Sequence, residues 1–150
     1  MDQTLILIKP DGVQRSIAGT IIDRFERRGL KIAAMKLMQV SKELANKHYG
    51  IHEGKPFFAD LVSYITSSPI VAMVLEGPNA VDVARNSMGE TNAGKAAPGT
   101  IRGDFALTIG RNLVHGSDSP ENAVKEINLF FKKEEIVSYE RNNDPWIIES

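Results

Sequence analysis

The segment Thr4-Leu5-Ile6-Leu7-Ile8-Lys9-Pro10-Asp11-Gly12 opens the fold. Residues 4–8 form a continuous aliphatic and β-branched run, and the Lys-Pro-Asp-Gly turn that stops the run predicts a buried strand. Apolar residues then recur at every fourth position over residues 13–25. This spacing predicts one helix that Asp11 caps at its start and that Gly29 ends in a left-handed conformation.

The rest of the chain continues to alternate between strands and helices. Patterning and turn residues predict further strands at residues 31–40, 70–75 and 112–115, and helices from Ser41 to about Tyr49-Gly50, over residues 57–66, from Gly77-Pro78 to Gly89, and from Ser119-Pro120 to Phe131. Residues 89–103 are rich in Gly, Ala and Thr, which predicts a long functional loop. This order favours a single domain over residues 1–150, an α/β sandwich with helices on one face of a small sheet.

Composition excludes several classes of protein. With 42% apolar and 25% charged residues, the chain is typical of a folded globular domain. Its 18 basic and 19 acidic residues nearly balance, so it lacks the basic excess of a nucleic-acid-binding domain. The absence of cysteine excludes disulfides, thiolate catalysis and cysteine-bound zinc. We expect a cytoplasmic protein without a membrane partner, because the apolar runs are too short for a signal peptide or a membrane span.

One stretch imitates a phosphate-binding loop. Gly89-Glu90-Thr91-Asn92-Ala93-Gly94-Lys95-Ala96 matches that pattern up to its last position, where Ser or Thr is needed to bind magnesium and Ala96 stands instead. The pattern also requires a preceding strand, whereas a helix is predicted before Gly89. We therefore do not expect a phosphate loop here.

A second stretch, Arg111-Asn112-Leu113-Val114-His115-Gly116-Ser117-Asp118, places a histidine between a strand and a helix. Imidazole titrates near pH ~6.5, so much of it is uncharged and nucleophilic at neutral pH. A polar loop histidine with a structural hydrogen bond is the alternative. Cations elsewhere favour phosphoryl transfer, which needs several fixed charges around the phosphate oxygens. They are Lys9, Arg85 and Arg102.

Two other histidines, His48 and His52, are spaced as metal ligands on one helix face would be. Gly50 indicates that the helix ends between them, and no His-Glu-x-x-His pattern is present, so we expect no zinc site.

Taken together, these motifs resemble the nucleoside diphosphate kinases. The resemblance rests on Ile8-Lys9-Pro10-Asp11-Gly12-Val13-Gln14-Arg15, His48-Tyr49, Pro56-Phe57-Phe58, Gly89-Glu90-Thr91, Arg102-Gly103-Asp104 and residues 112–118, and it spans nearly the whole chain in the same order. It implies a ferredoxin-like fold with a four-stranded antiparallel sheet covered by helices. It also implies a ping-pong transfer of the γ-phosphate between nucleoside triphosphates and diphosphates.

The resemblance also implies roles for individual residues. His115 would be phosphorylated, Lys9 would assist, and Glu126 and Ser117 would orient the imidazole. The nucleotide-binding set would comprise Lys9, Tyr49, His52, Phe57, Leu61, Arg85, Thr91, Arg102, Ile109 and Asn112, with Phe57 stacked on the base between Leu61 and Ile109. Mg²⁺ would arrive with the nucleotide, so we expect no metal site built from protein ligands.

Two departures from the family pattern and two alternatives complete the sequence-based picture. Ala93 replaces a frequent proline and Ile109 a commoner valine, which should alter nucleotide affinity at most. The alternatives are a non-catalytic nucleotide-binding regulatory protein of the same fold and a sheet-face RNA-binding module. The sequence shows neither exposed strand aromatics nor a basic surface, which argues against the RNA-binding module.

We expect a homo-oligomer, a hexamer in preference to a tetramer, because apolar residues in the tail of residues 142–150 otherwise lack a place to bury.

Overall fold

Four strands form one antiparallel sheet in the computed structural model, which describes residues 1–149. They are β1 (Asp2–Ile8), β2 (Lys31–Met38), β3 (Ile70–Gly77) and β4 (Val114–Gly116). The strand order is β2-β3-β1-β4, and every neighbouring pair is antiparallel. This arrangement confirms the predicted ferredoxin-like fold, and it places β1 in the interior of the sheet.

Among residues 1–149, seven α-helices connect and cover the strands. They are α1 (Pro10–Gln14), α2 (Ala18–Arg28), α3 (Lys42–His48), α4 (Phe58–Ile65), α5 (Ala80–Met88), α6 (Ile101–Phe105) and α7 (Pro120–Phe130). Short 3₁₀ turns lie at Gly50–His52, Ala93–Lys95, Lys133–Glu135 and Asp144–Trp146. No helix among residues 1–149 is long and apolar enough to cross a membrane.

The prediction of one continuous helix after β1 was wrong. The helix breaks into α1 and α2 at Ser16, whose φ of 58° lies in the left-handed region. Asp11 does not cap it either, because its carboxylate accepts a hydrogen bond from the distant Leu113 N–H instead. The four-residue spacing hid the break, since Val13 and Ile17 still pack against the same core as α2. The predicted left-handed end of α2 at Gly29 is confirmed, with φ of 109°.

The prediction of helices on one face of the sheet was also wrong, because both faces are covered. Leu5 and Leu7 of β1 belong to one apolar cluster with residues of α3, α4 and α7, and Ile6 and Ile8 belong to another with residues of α2, α5 and α6. All four side chains are fully buried. The continuous aliphatic run of β1 is typical of a strand covered on both faces, whereas a half-exposed strand alternates.

The stretch predicted as a loop, residues 89–103, contains a 3₁₀ turn and the start of α6. Thr100 caps α6, and its Oγ1 accepts a hydrogen bond from the Gly103 N–H at 3.0 Å. Gly103 cannot be larger, because a Cβ there would lie 1.9 Å from the Ala97 carbonyl oxygen. A helix of five residues is too short for apolar periodicity to reveal it.

Burial of the sheet faces predicts that shortening a buried side chain lowers the free energy of unfolding far more than shortening an exposed one. Leu75→Ala, in the fully buried part of β3, should lower the free energy of unfolding by about 2–5 kcal/mol, because the cavity adds to the lost burial. Val124→Ala, on the exposed side of α7, should change it by about 0.5 kcal/mol or less. Urea unfolding measures both, and equal losses would contradict the assignment of the core.

Candidate active site

His115 lies on β4, where its register partner on β1 is Leu7. Its Nε2 is 3.1 Å from each carboxylate oxygen of Glu126, which α7 presents. Ser117 Oγ donates to Glu126 Oε1 at 2.6 Å. Ser117 is itself held by Leu5 of β1, because its N–H donates to the Leu5 carbonyl at 3.2 Å and its Oγ accepts from the Leu5 N–H at 3.3 Å. The sheet and α7 together therefore fix the imidazole.

The contact with Glu126 determines which nitrogen of His115 carries the proton. A carboxylate only accepts hydrogen bonds, so Nε2 must be the protonated nitrogen. In the uncharged ring Nδ1 then keeps its lone pair, and the side chain is 24% exposed, so solvent and ligands can reach the ring. The ring is thus oriented with its nucleophilic nitrogen free of the carboxylate.

The Glu126 carboxylate is ionised at neutral pH. Burial by itself would raise the pKa of this side chain, but the His115 hydrogen bond and charge, the Ser117 hydroxyl and the His48 ring together hold the pKa below its usual range. A partly buried carboxylate that keeps its charge can stabilise a positive charge developing on the imidazole.

His48, at the last residue of α3, lies edge-on to His115 with ring centroids 4.7 Å apart. Both of its nitrogens are buried, and neither has a hydrogen-bond partner among residues 1–149. Burial, followed by the charge of His115, lowers the pKa of His48 to about 3. At neutral pH the ring is uncharged, so the 3.8 Å from its Nδ1 to Glu126 Oε2 does not join an ion pair. The sequence reveals His48 only as part of a motif, and its position against His115 was not predicted.

Arg102 is buried against residues 112–114, with only 4% of its surface exposed. It donates from Nε to the Asn112 carbonyl at 3.2 Å, from Nη1 to the Gly89 carbonyl at 2.9 Å and from Nη2 to the Val114 carbonyl at 2.7 Å. Burial, and then the charge of Arg85, lower the pKa of Arg102 to about 10, so it remains a cation at neutral pH. Three of its five N–H groups thus donate to backbone carbonyls, which fixes the guanidinium in place.

Lys9 follows β1 directly and donates from Nζ to Asn112 Oδ1 at 2.9 Å. Asn112 in turn donates from Nδ2 to the Thr91 carbonyl at 3.0 Å, so three chain segments meet here. Burial and the nearby Arg102 lower the pKa of Lys9 to about 8, while the Asp11 charge acts in the opposite direction. Lys9 is therefore a largely desolvated cation whose charge a bound anion would stabilise.

Arg85, on α5, is the third cation at this segment. Its Nη1 donates to the Gly116 carbonyl at 3.2 Å. Lys9, Arg85 and Arg102 therefore all contact residues 112–116, from three different elements of the chain. Their convergence on the segment that carries His115 is an arrangement suited to binding a phosphate chain.

The remaining predicted residues lie on three parts of the chain: around the end of α3, at α4, and after α6. Tyr49 is buried in the first apolar cluster, where burial and the charge of Glu126 raise its pKa to about 12. His52 lies with its ring centroid 5.2 Å from that of Phe57, which is 45% exposed. Leu61 packs partly buried against the first cluster, and Ile109 is exposed in the turn that follows α6. Their roles in nucleotide binding stay predictions.

A possible metal cluster is present within the part of the chain that the structure describes. One ligand atom from each of His48, His115 and Glu126 lies within 4.8 Å of the others. Two of the three are imidazoles, which Mg²⁺ does not favour, and both Glu126 oxygens already accept hydrogen bonds. This cluster is therefore not a magnesium cage.

These features define the class of protein: an enzyme suited to phosphoryl transfer, with an oriented imidazole and three cations that contact the same segment. Known proteins support this class. Residues 2–136 match the family model described as nucleoside diphosphate kinase. A nucleoside diphosphate kinase from Roseiflexus castenholzii is 58% identical over 99% of this chain and 100% of its own. One from Archaeoglobus fulgidus is 56% identical over 99% of both chains.

Solved structures agree. A halophilic nucleoside diphosphate kinase from Halobacterium salinarum, in complex with CDP, superposes with a TM-score of 0.96 at 48% identity, over 99% of this chain and 100% of that chain. The chain belongs to the nucleoside diphosphate kinase family, and it is a phosphotransferase with that activity.

The buried neutral His48 predicts that acid destabilises the protein. Between pH about 6.5 and about 3, the unfolded chain binds a proton at this side chain and the folded protein does not, so the free energy of unfolding falls as the pH falls. His48→Leu should reduce this slope by about 1.4 kcal/mol per pH unit at most. Urea unfolding between pH 4.5 and pH 6.5 measures the slope in a range above the pKa of Glu126.

Tyr49→Phe is the matched control, because this neighbouring buried ring does not titrate in that range. The control should keep the slope of the unmodified protein. A His48→Leu slope equal to that of the control would show that His48 is protonated in the folded protein.

Proposed function

We propose that His115 carries the phosphoryl group between nucleotides in two half-reactions. Nδ1 attacks the γ-phosphorus of a nucleoside triphosphate, an N–P bond forms, the bond from that phosphorus to the bridging oxygen breaks, and a nucleoside diphosphate leaves. The terminal phosphate oxygen of a second diphosphate then attacks the phosphorus and regenerates the imidazole. The single observation that carries this proposal is the pair of 3.1 Å contacts that fix Nε2 on Glu126 and leave Nδ1 free.

Glu126 would act on the imidazole through Nε2, the nitrogen that does not attack, and Ser117 would hold Glu126. As the N–P bond forms, the imidazole gains positive charge, and the ionised Glu126 lies in hydrogen-bond contact with the N–H that carries part of it. Ser117 holds Glu126 in turn, through its 2.6 Å hydrogen bond. No separate general base is needed, because neutral imidazole already has its lone pair.

Lys9, Arg85 and Arg102 would hold the phosphate chain. Phosphoryl transfer spreads charge over several oxygens, so cations fixed in advance stabilise the transition state without having to reorganise. The hydrogen bonds of these side chains to residues 112–116 support such fixed positions. Thr91, Asn112, Tyr49 and His52 would complete the phosphate and ribose contacts.

Mg²⁺ would accompany the nucleotide, and when bound it supplies neutralising charge to the phosphates. The charged groups near His115 fit this arrangement, because they are three cations and one carboxylate that is already engaged with His115 and Ser117. Such a site offers no oxygen cage of its own, and Mg²⁺ commonly binds through substrate phosphates.

The base would stack on Phe57, with Leu61 and Ile109 beside it. A ring face and aliphatic groups bind every base through surface that all bases share, so we infer broad nucleotide specificity. The exposed ring of Phe57 supports this position. Cytidine diphosphate, the ligand of the Halobacterium salinarum structure, belongs to this substrate class.

Nucleotides would be the enzyme's small-molecule partners, in the cytoplasm, where they are abundant. The net charge of −1 gives no reason to add a nucleic acid, and a non-catalytic regulatory role has no support, since Lys9, Arg102 and His115 are all present.

His115→Ala should abolish labelling of the protein by γ-³²P-ATP with magnesium, because it removes the nitrogen proposed to accept the phosphoryl group. In the unmodified protein the label should be acid-labile and base-stable, as expected of phosphohistidine, and addition of a second nucleoside diphosphate should discharge it. Lys125→Ala, beside Glu126 on α7 but exposed, should label normally. Full labelling of a folded His115→Ala variant would refute the assignment.

We also propose that the enzyme assembles as a homohexamer. Strand β2 lies at the edge of the sheet beside β3. The Ala33 carbonyl accepts from the Val137 N–H, and farther along β2 the side chains of Met35 and Leu37 are exposed. Trp146, in the tail, is 91% exposed. Large apolar side chains at an unpaired strand edge and in a tail are typical of surfaces that association covers.

Sedimentation analysis should therefore give about six times the chain mass of 16.5 kDa. Leu37→Glu should shift the distribution to smaller species, because it places a charge on the exposed edge. A tetramer would contradict the hexamer alone, and a stable monomer of the unmodified protein would contradict association altogether.

A further inference from the structure

The backbone is strained two residues before His115. Leu113 has a φ of 73°, in the left-handed region that residues other than glycine rarely adopt. The N–H of Val114 donates to the carbonyl of Asn112 at 2.8 Å, which closes a three-residue γ-turn centred on Leu113. This positive-φ form of the γ-turn is the rare and strained one. Such conformations persist only where the surroundings enforce them, and they cluster at functional sites.

The segment after β1 holds both polar backbone groups of Leu113. Its N–H donates to Asp11 Oδ2 at 3.1 Å, and its carbonyl accepts from the Lys9 N–H at 2.8 Å. Leu113 is fully buried, so water has no access to replace the carboxylate. Asp11 is itself held by α4, because its backbone N–H donates to the hydroxyl of Tyr64 at 3.3 Å.

The turn determines where the neighbouring groups of the site point. On one side of Leu113, the Asn112 side chain bridges Lys9 and the Thr91 carbonyl. On the other side, the Val114 carbonyl accepts from the buried Arg102, and His115 follows. If Leu113 relaxed to a negative φ, the peptides on both sides would rotate, and these groups would lose their common orientation.

We propose that Asp11 is a positioning residue whose carboxylate oxygen locks the strained turn at Leu113 and thereby fixes Asn112 and His115 for phosphoryl transfer. Asp11 was expected to be only a helix cap, and it touches neither His115 nor the proposed phosphate site. The inference rests on the proposed function of His115, because the measured rate is that of its phosphorylation.

A second effect of Asp11 has to be separated from this one. Its negative charge also favours the charged form of Lys9. Asp11→Asn removes the charge but keeps an oxygen that can accept from the Leu113 N–H, whereas Asp11→Ala removes both. The two variants therefore distinguish the hydrogen bond from the electrostatic effect.

Single-turnover labelling with γ-³²P-ATP at saturating nucleotide measures the rate constant of phosphorylation in each variant. Asp11→Ala should slow it about 100-fold, because displacing a reacting group by about 1 Å can cost that much. Asp11→Asn should stay within about threefold of the unmodified protein, since the hydrogen bond is retained. Asp82→Ala, an exposed aspartate in the first turn of α5, should leave the rate unchanged.

A double variant tests the strain directly. Glycine adopts a positive φ without steric cost, so Leu113→Gly in the Asp11→Ala background should recover at least tenfold of the lost rate, although it removes a buried side chain. Circular dichroism at the assay temperature establishes that each variant is folded. A purely structural role of Asp11 would not be relieved by a glycine that lowers stability further.

Two results would overturn the inference. One is an equal loss of rate in Asp11→Asn and Asp11→Ala, which would assign the effect to the charge on Lys9. The other is a folded Asp11→Ala variant that labels at the normal rate. Labelling of His115→Ala, in contrast, would overturn the proposed function, so the two failures are distinguishable.

Discussion

Strand β1 lies between β3 and β4, and its hydrogen bonds hold the elements on which the site depends. Its Leu7 is the register partner of His115, and its Leu5 exchanges hydrogen bonds with Ser117. Lys9 follows the end of β1, and its side chain contacts Asn112, in the segment that Arg85 and Arg102 also contact. A one-residue shift of register would exchange the β1 side chains between the two buried clusters and would break the pairing of Leu7 with His115. The same hydrogen bonds of β1 therefore stabilise the sheet and position His115 and Ser117.

Several features of the site lower the stability of the folded protein, and the buried cations among them suit the site to bind an anion. Lys9 and Arg102 are buried close to each other, and burial lowers the pKa of both. His48 is buried without a hydrogen-bond partner among the described residues, and Leu113 is held in a strained turn. These features cost stability, and the two apolar clusters on either face of the sheet supply the burial that offsets them. A phosphate chain would complete the charge balance of the cations, which is consistent with a site prepared for an anion.

Much of the fold was accessible to sequence reasoning because long apolar runs and turn residues act locally. The aliphatic runs of β1 and β3, the cap at Ser41 and the left-handed Gly29 follow from side chains within a few residues of each other. The break at Ser16 was missed because it does not disturb the apolar spacing, and α6 was missed because five residues are too few to show one. The prediction of a one-sided sheet failed although β1 carried the evidence, because an unbroken aliphatic run is typical of a strand covered on both faces.

By itself, the sequence determined most of the strands and helices, and it indicated the residue types at the site through the resemblance that His115, Lys9 and Arg102 carry. Only the tertiary structure decided that Glu126 holds Nε2 and leaves Nδ1 free, that Arg102 braces three carbonyls, and that His48 lies neutral against His115. It also decided that Asp11 contacts a strained backbone turn instead of capping a helix. The physical reason is range: propensity and capping act over a few residues, whereas hydrogen bonds such as that from Leu113 to Asp11 join groups about a hundred residues apart, which only the packed sheet brings together.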